Sequence, residues 1–434
     1  MTYRGATFLI PLIVHLSSAE LARAEETTAG AVASPAAPAA PLANTIDPDL
    51  AAAAAEDAAS RDTPASVPLA GADVRAEAST GVIMSGSAAE MNPAMSLILD
   101  SGLGWYSSER HARQGGHSMG YNGFALQGLE LAASANVDPY FRFDLAYQVG
   151  ADLEEAAVTT TSLPANLQAR AGFLMVPFGR QNARHLHTWA FVNPPLMQTR
   201  FVAAEHFSGA GCELSVLLPL PWFVTLSADA VNTSELGGFR SSSFASIDSS
   251  PSQVTRSVAD LAYAGRVESF SELSSDWSLL LGASGATGRA MLAPSEHAAL
   301  YGADAYLKWR PISRGEGERA LSLTLEAVLR DTPTPSDRLR DFGGYAELAA
   351  QLTQRWVVGL RAELCDVGQG TPPPAAGPLG RERRGALSLT FLPTHFSKVR
   401  IEGDVIDEPA RGAPVFAGFL QVEVSAGAHG AHAF

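Results

Sequence analysis

The residues best equipped for chemistry cluster in one stretch, GRQNARHLHTWAFVNPPLMQTRFVAAEHFSG (179–209). Four charged side chains, Arg180, Arg184, Arg200 and Glu205, stand there among Trp189, Phe191, Met197, Phe201 and Phe207, which need burial. The connection is too long for a simple rim loop. Folding it into the interior of whatever surrounds it buries the aromatics and gathers the four charges at a constriction, where rings of charge set ion selectivity. The alternative is a loop packed on the rim of a neighbouring subunit.

The same stretch carries His185-x-His187, which places both imidazoles on one side of an extended chain, and His206 follows close in sequence. His111 with His117 and His429 with His432 make two further pairs. Zinc needs three or four ligands converging at about 2 Å. His185, His187 and His206 are the metal candidates, but no spacing enforces convergence, and rim or turn histidines are the competing reading. Cys212 and Cys365 support at most one bridge and no four-thiolate site. Ser208 lies beside His206 and Glu205, but no nucleophile elbow accompanies them. The expectation is a non-enzyme that requires no cofactor.

The elements that must position these residues alternate with period two from about residue 94 onward. In FRFDLAY (141–147) the odd positions are apolar, while Arg142 and Asp144 are charged. LQARAGF (167–173), ALSLTLEAVLR (320–330), LRAEL (360–364) and VRIEGDV (399–405) repeat the pattern, giving strands with one greasy and one polar face. Sixteen strands are expected, starting near 95, 123, 140, 154, 166, 209, 223, 260, 275, 299, 319, 340, 356, 381, 397 and 414. Tight breaks such as VDPY (137–140) and TQR (353–355) follow even-numbered strands, and long polar connections such as 109–120 and 369–380 follow most odd-numbered ones. Short turns on one rim, long loops on the other and an even strand count mark an outer-membrane barrel. The fold class is therefore all-β, a transmembrane antiparallel β-barrel. Its lumen-facing charges should include Arg142, Asp144, Arg170, Glu213, Glu326, Arg330, Arg361, Glu363, Arg400, Glu402 and Asp404. Both signs are present, so an anion track built from arginine forks competes with arginines paired to neighbouring acids. Counting back from Phe434 in steps of two meets Val424, Val422, Leu420 and Phe416, an aromatic terminus in phase with an apolar face and hence a candidate signal for barrel-assembly machinery.

Composition closes off other classes. The chain has 434 residues, of which 17% are charged, and carries 30 Lys+Arg against 45 Asp+Glu, so nucleic acid is not an expected partner. No window approaches the ~20 apolar residues of a membrane-spanning helix. Residues 1–24 read as a signal peptide, with apolar FLIPLIVHL (8–16) leading to Ala22-Arg23-Ala24. Residues 25–90, rich in Ala and Pro and acidic, cannot bury a core and read as a disordered periplasmic leader. Residues 91–434 are left for the barrel.

Several strings resemble a family of Gram-negative outer-membrane proteins related to the phosphate-selective porins, some named zinc-regulated TonB-dependent outer-membrane receptors. They are NPAMSLILD (92–100), GFALQGLELAASANVDPYFRFD (123–144), LPANLQARAGFLMVPFGRQNARHLHTW (163–189), ELSVLLPLPW (213–222) and GAHGAHAF (427–434). The resemblance implies a Gram-negative outer-membrane location, passage of small hydrophilic solutes, anions among them, and a homotrimer. A plugged receptor needs a barrel of about 22 strands, more than this length supplies, whereas sixteen leave an aqueous lumen. The other class left open is a receptor or adhesin linked to zinc or metal uptake without an open pore, or an envelope anchor.

Overall fold

The computed structural model describes residues 93–427, except 109–114, 151–152, 204, 233–256, 291–292, 294, 312–318, 335–336, 372–379 and 410–411. The expected signal peptide, the leader and Phe434 lie outside the described residues.

The first eight strands are β1 (Ala94–Tyr106), β2 (Gly123–Asn136), β3 (Phe141–Gln148), β4 (Leu153–Thr160), β5 (Leu167–Met175), β6 (Ser208–Leu217), β7 (Phe223–Val231) and β8 (Ala262–Glu272). The second eight are β9 (Trp277–Arg289), β10 (His297–Trp309), β11 (Ala320–Pro333), β12 (Arg338–Thr353), β13 (Trp356–Gln369), β14 (Glu382–Thr394), β15 (Ser397–Asp407) and β16 (Val415–Gly427). Each start falls within two residues of the position read from periodicity. Every strand pairs antiparallel with its sequence neighbours, and β1 pairs with β16 through Leu99 opposite Val424, closing the barrel. Closure satisfies every ladder without leaving an edge, which a hydrocarbon environment demands.

Alternation runs through the wall, broken at β-bulges such as those at Gln127 on β2 and Glu154 on β4. On β16, Phe416, Leu420, Val422 and Val424 are exposed while Gln421, Glu423 and Ser425 are buried. On β13, Leu360 and Leu364 face out while Arg361 and Glu363 face in. The oily exterior is thus the lipid face and the polar side chains line the interior. Aromatic pairs gather beside the short-turn rim, with ring centroids 6.4 Å apart for Trp277 and Trp309, 4.8 Å for Trp356 and Phe391, and 6.2 Å for Phe223 and Phe270. Amphipathic rings at that level form an interfacial girdle. Both cysteines are free, Cys212 exposed and Cys365 buried, so the one bridge the sequence permits is not formed.

Candidate functional site in the barrel lumen

Between β5 and β6 the chain leaves the wall. Residues 176–207 form two 3₁₀ turns (Gln181–Ala183 and Leu186–Thr188) and a π turn (Gln198–Val202). An irregular segment has no ladder to satisfy its backbone, so its amides and carbonyls need other partners. The wall supplies them. The Gly179 N–H donates to Ser284 Oγ on β9 at 3.0 Å, and those of Arg180 and Gln181 donate to the Glu326 carboxylate on β11 at 3.1 Å. The Leu196 N–H reaches Glu363 on β13 at 2.5 Å, and the Val192 N–H reaches Glu402 on β15 at 2.6 Å. In the other direction, Arg361 donates to the Asn193 carbonyl, Arg400 to Trp189, Lys398 to His187, and Gln127 on β2 to Val192. Partners on β2 and on β9 through β15 are reachable together only if the segment crosses the lumen.

Asn182 fastens the base of this insert. Its side-chain amide donates to the carbonyls of Val176 and Phe207, while its Oδ1 accepts the Phe207 N–H at 2.7 Å and the Gln198 amide at 2.9 Å. The insert's rings rest where the wall carries glycine. A Cβ on Gly343 would lie 2.4 Å from the Phe201 ring, one on Gly359 2.9 Å from Phe191, and one on Gly302 3.2 Å from Phe178. All three phenylalanines are buried, each worth roughly 2 kcal/mol relative to exposure.

The four charges read as a constriction have distinct surroundings. The Arg180 guanidinium lies 3.7 Å above the Tyr306 ring and is half-buried. Arg184, also half-buried, donates to the Thr188 carbonyl at 2.5 Å. Arg200 is enclosed, donating to the Gly380 carbonyl at 2.9 Å with Glu382 3.5 Å away. The Glu205 carboxylate packs on Gly116, where a Cβ would collide with it.

The wall charges lie on the inward face, mostly in pairs. Arg330 forks onto Asp341 at 2.9 and 2.7 Å, and Glu363 is shared by Arg361 at 2.8 Å and Arg384 at 2.6 Å. Arg170 bridges Glu155 and Glu213, and Arg142 meets Asp144 at 2.9 Å. Arg400 holds Gln421 at 2.9 Å, Glu402 is buried against the Val192 amide of the insert, and Asp404 is buried on the same face of β15. Two inward cations add to those expected from the sequence: Arg266 grips Asp304 at 2.6 Å, and Lys398 pairs with Glu423. Their inward phase on β8 and β15 was the available signal.

The histidines converge with two strand carboxylates absent from the sequence reading, Glu130 on β2 and Glu154 on β4. His185 Nδ1 lies 2.8 Å from Glu154 Oε2, His187 Nδ1 lies 3.1 Å from Glu130 Oε2, and the two rings stack with centroids 5.7 Å apart. His117, from the β1–β2 connection, places Nε2 3.4 Å from Glu154 Oε1 and Nδ1 3.4 Å from the Gln127 carbonyl. His206 places Nδ1 2.9 Å from the Asn182 carbonyl. Burial pushes the His206 pKa below the ordinary imidazole value. Burial also opposes charge on His117, but the Glu154 carboxylate, helped by Glu205, outweighs it and raises its pKa. One group that can hold a metal ion is His117, Glu154 and His206, and another is Glu130, Glu154 and His185; in each, the ligand atoms lie within 4.8 Å of one another. His187 stands beside the second group. Ser208 and His206 form no catalytic relay: the Ser208 hydroxyl points at the His206 carbonyl, 3.5 Å away.

No family model matches the chain. An uncharacterized protein of Aquifex aeolicus (strain VF5) is 29% identical over 356 residues, covering 71% of this chain and 72% of the relative. Among solved structures, the outer membrane channel DcaP of Acinetobacter baumannii superposes with a TM-score of 0.52 at 10% identity, over 78% of this chain and 99% of that one. An anion-selective porin from Comamonas acidovorans gives 0.49 at 10% identity, over 77% of this chain and 99% of that one. OprB of Pseudomonas putida gives 0.49 at 13% identity, over 77% and 94%. The likeness to DcaP is one of fold, and it agrees with the closed barrel. The chain is an outer-membrane β-barrel of porin-like architecture.

Proposed function

We propose that the barrel is a channel for passive diffusion of small hydrophilic solutes, anions included, with the insert as its constriction. The observation that carries this reading is the segment 176–207, hydrogen-bonded to wall strands on opposite sides of a charged interior. Arg180 and Arg184, half-buried, are the residues of the insert placed to meet a passing anion, while Arg200 anchors the insert among Asp341, Glu382 and Gly380. The wall arginines are engaged with acids and insert carbonyls, so selectivity should be weak.

A homotrimer fits the exterior. Ala346, Ala362, Gly385 and Gly403 leave a depression on the lipid face, flanked by Leu360 and Leu387, where a second copy would pack closely. Lipid of the outer membrane and the barrel-assembly machinery are the remaining proposed partners. Liposome swelling with sugars and small anions tests the channel, and cross-linking of detergent-extracted protein tests the trimer.

The burial of Phe191, Leu196, Phe201 and Phe207 favours a second reading, a receptor or envelope anchor whose lumen stays shut. Swelling rates equal to those of protein-free liposomes would select it.

A further inference from the structure

We infer that His117, Glu154 and His206 form a binding site for a divalent first-row transition metal of the zinc class, which ties the insert to the wall. Three parts of the chain distant in sequence supply the ligands: the β1–β2 connection, strand β4 and the end of the insert. Both histidines are 5% exposed; the Nε2 atom of His206 lacks a hydrogen-bond partner, and that of His117 faces the Glu154 carboxylate at 3.4 Å. A buried polar atom left so is costly, and most in folded proteins are satisfied. The opposite ring nitrogens face backbone carbonyls, Gln127 for His117 and Asn182 for His206. A carbonyl accepting from Nδ1–H fixes the tautomer whose Nε2 lone pair is free for a metal, the usual outer-shell arrangement around zinc histidines.

Glu154 Oε1 completes the triad, oriented by the Gln148 amide at 3.0 Å while His185 holds Oε2. Ligand atoms within 4.8 Å of one another need to close to the ~3.3 Å edge of a tetrahedron with bonds of about 2 Å, a small rotation of each side chain. Two imidazoles and one carboxylate suit zinc, and leave a fourth position for water or for Glu205, whose carboxylate packs on Gly116, the residue before His117. The second group, sharing Glu154, borders a cavity lined by Ser96, Ser134, Asp144, His185 and His187, which offers a cation a polar approach.

Metal binding does not depend on conduction, so its test is separate from that of the channel. The full chain, carrying no polyhistidine tag, is stripped with chelator in detergent, loaded with ZnCl2, desalted and measured by elemental analysis. About one equivalent of zinc should be retained, His206→Ala should weaken binding at least ~10-fold, and His117→Ala with His206→Ala should abolish retention, while His395→Ala, altering an exposed turn residue, retains it. Cobalt substitution of the native chain needs no variant: an intense visible band of four-coordinate Co2+ is expected. A stripped wild-type chain that retains no zinc and shows only the weak spectrum of aqueous Co2+ overturns the assignment, as does unchanged zinc retention in a folded double variant.

Discussion

Asn182 and Phe207 join the two ends of the lumen insert: Asn182 Oδ1 accepts the Phe207 N–H at 2.7 Å, and its Nδ2 donates to the Phe207 carbonyl at 3.0 Å. The same side chain also serves Val176 and Gln198, so every branch of its amide is engaged in a fully buried position. Asn182→Ala leaves those groups unsatisfied and should destabilise the docked insert by about 1–3 kcal/mol. Proteolysis of the insert in the intact barrel is the readout, with faster cleavage expected and an unchanged barrel-unfolding midpoint.

Gly343 and Gly403 separate lumen packing from lipid packing. A Cβ at Gly343 meets the Phe201 ring and Cys365 Sγ, whereas one at outward-facing Gly403 meets nothing within 4 Å. Gly343→Ala should cost about 1–3 kcal/mol through overpacking, and Gly403→Ala should leave the stability of the single barrel unchanged, any loss it causes being confined to the proposed packing between copies. Guanidinium unfolding of both variants in bilayers checks the contrast.

Leu360 lies on the exterior of β13, between Leu348 and Leu387 on the neighbouring strands. A charge on a lipid-facing barrel position costs about 2–4 kcal/mol near the bilayer midplane. Leu360→Arg should therefore destabilise the barrel by that amount in vesicles. A smaller loss in detergent, where water reaches the belt, would agree with a membrane exterior, and equal stability of variant and wild type in vesicles would refute it.

Glu363 is the buried carboxylate shared by Arg361, Arg384 and the Leu196 N–H. Glu363→Ala strands two guanidinium groups and frees one insert amide, and loss of a buried partner typically costs about 3–5 kcal/mol. Channel recordings should show added current noise as the insert loosens, and the temperature at which the barrel unfolds in SDS gels should fall.

Much of this architecture was legible because a barrel strand is a local pattern. VRIEGDV places Arg400, Glu402 and Asp404 on one face without knowledge of any neighbour, and the same holds for Arg361 and Glu363 in LRAEL. The insert announced itself by length and aromatics with no local way to be buried. Its docking sites did not, because Gly343 beneath Phe201 and Gly359 beneath Phe191 are separated in sequence by whole strands, and no periodicity reports which glycine faces which ring. The same limit hid Glu130 and Glu154: Glu154 turns inward only because a β-bulge leaves it unpaired beside inward-facing Glu155, and the meeting of both carboxylates with His185, His187 and His117 depends on how the insert crosses the lumen. His206 was a candidate by proximity in sequence, whereas His117 joins it only through the fold.

Conduction is the claim on which the rest depends, and planar-bilayer recording of the full chain under a salt gradient tests it most directly. Stepwise openings with a reversal potential close to zero are predicted, moving toward cation preference in Arg180→Ala with Arg184→Ala. Bilayers that contain inserted, folded protein and remain electrically silent would contradict the channel.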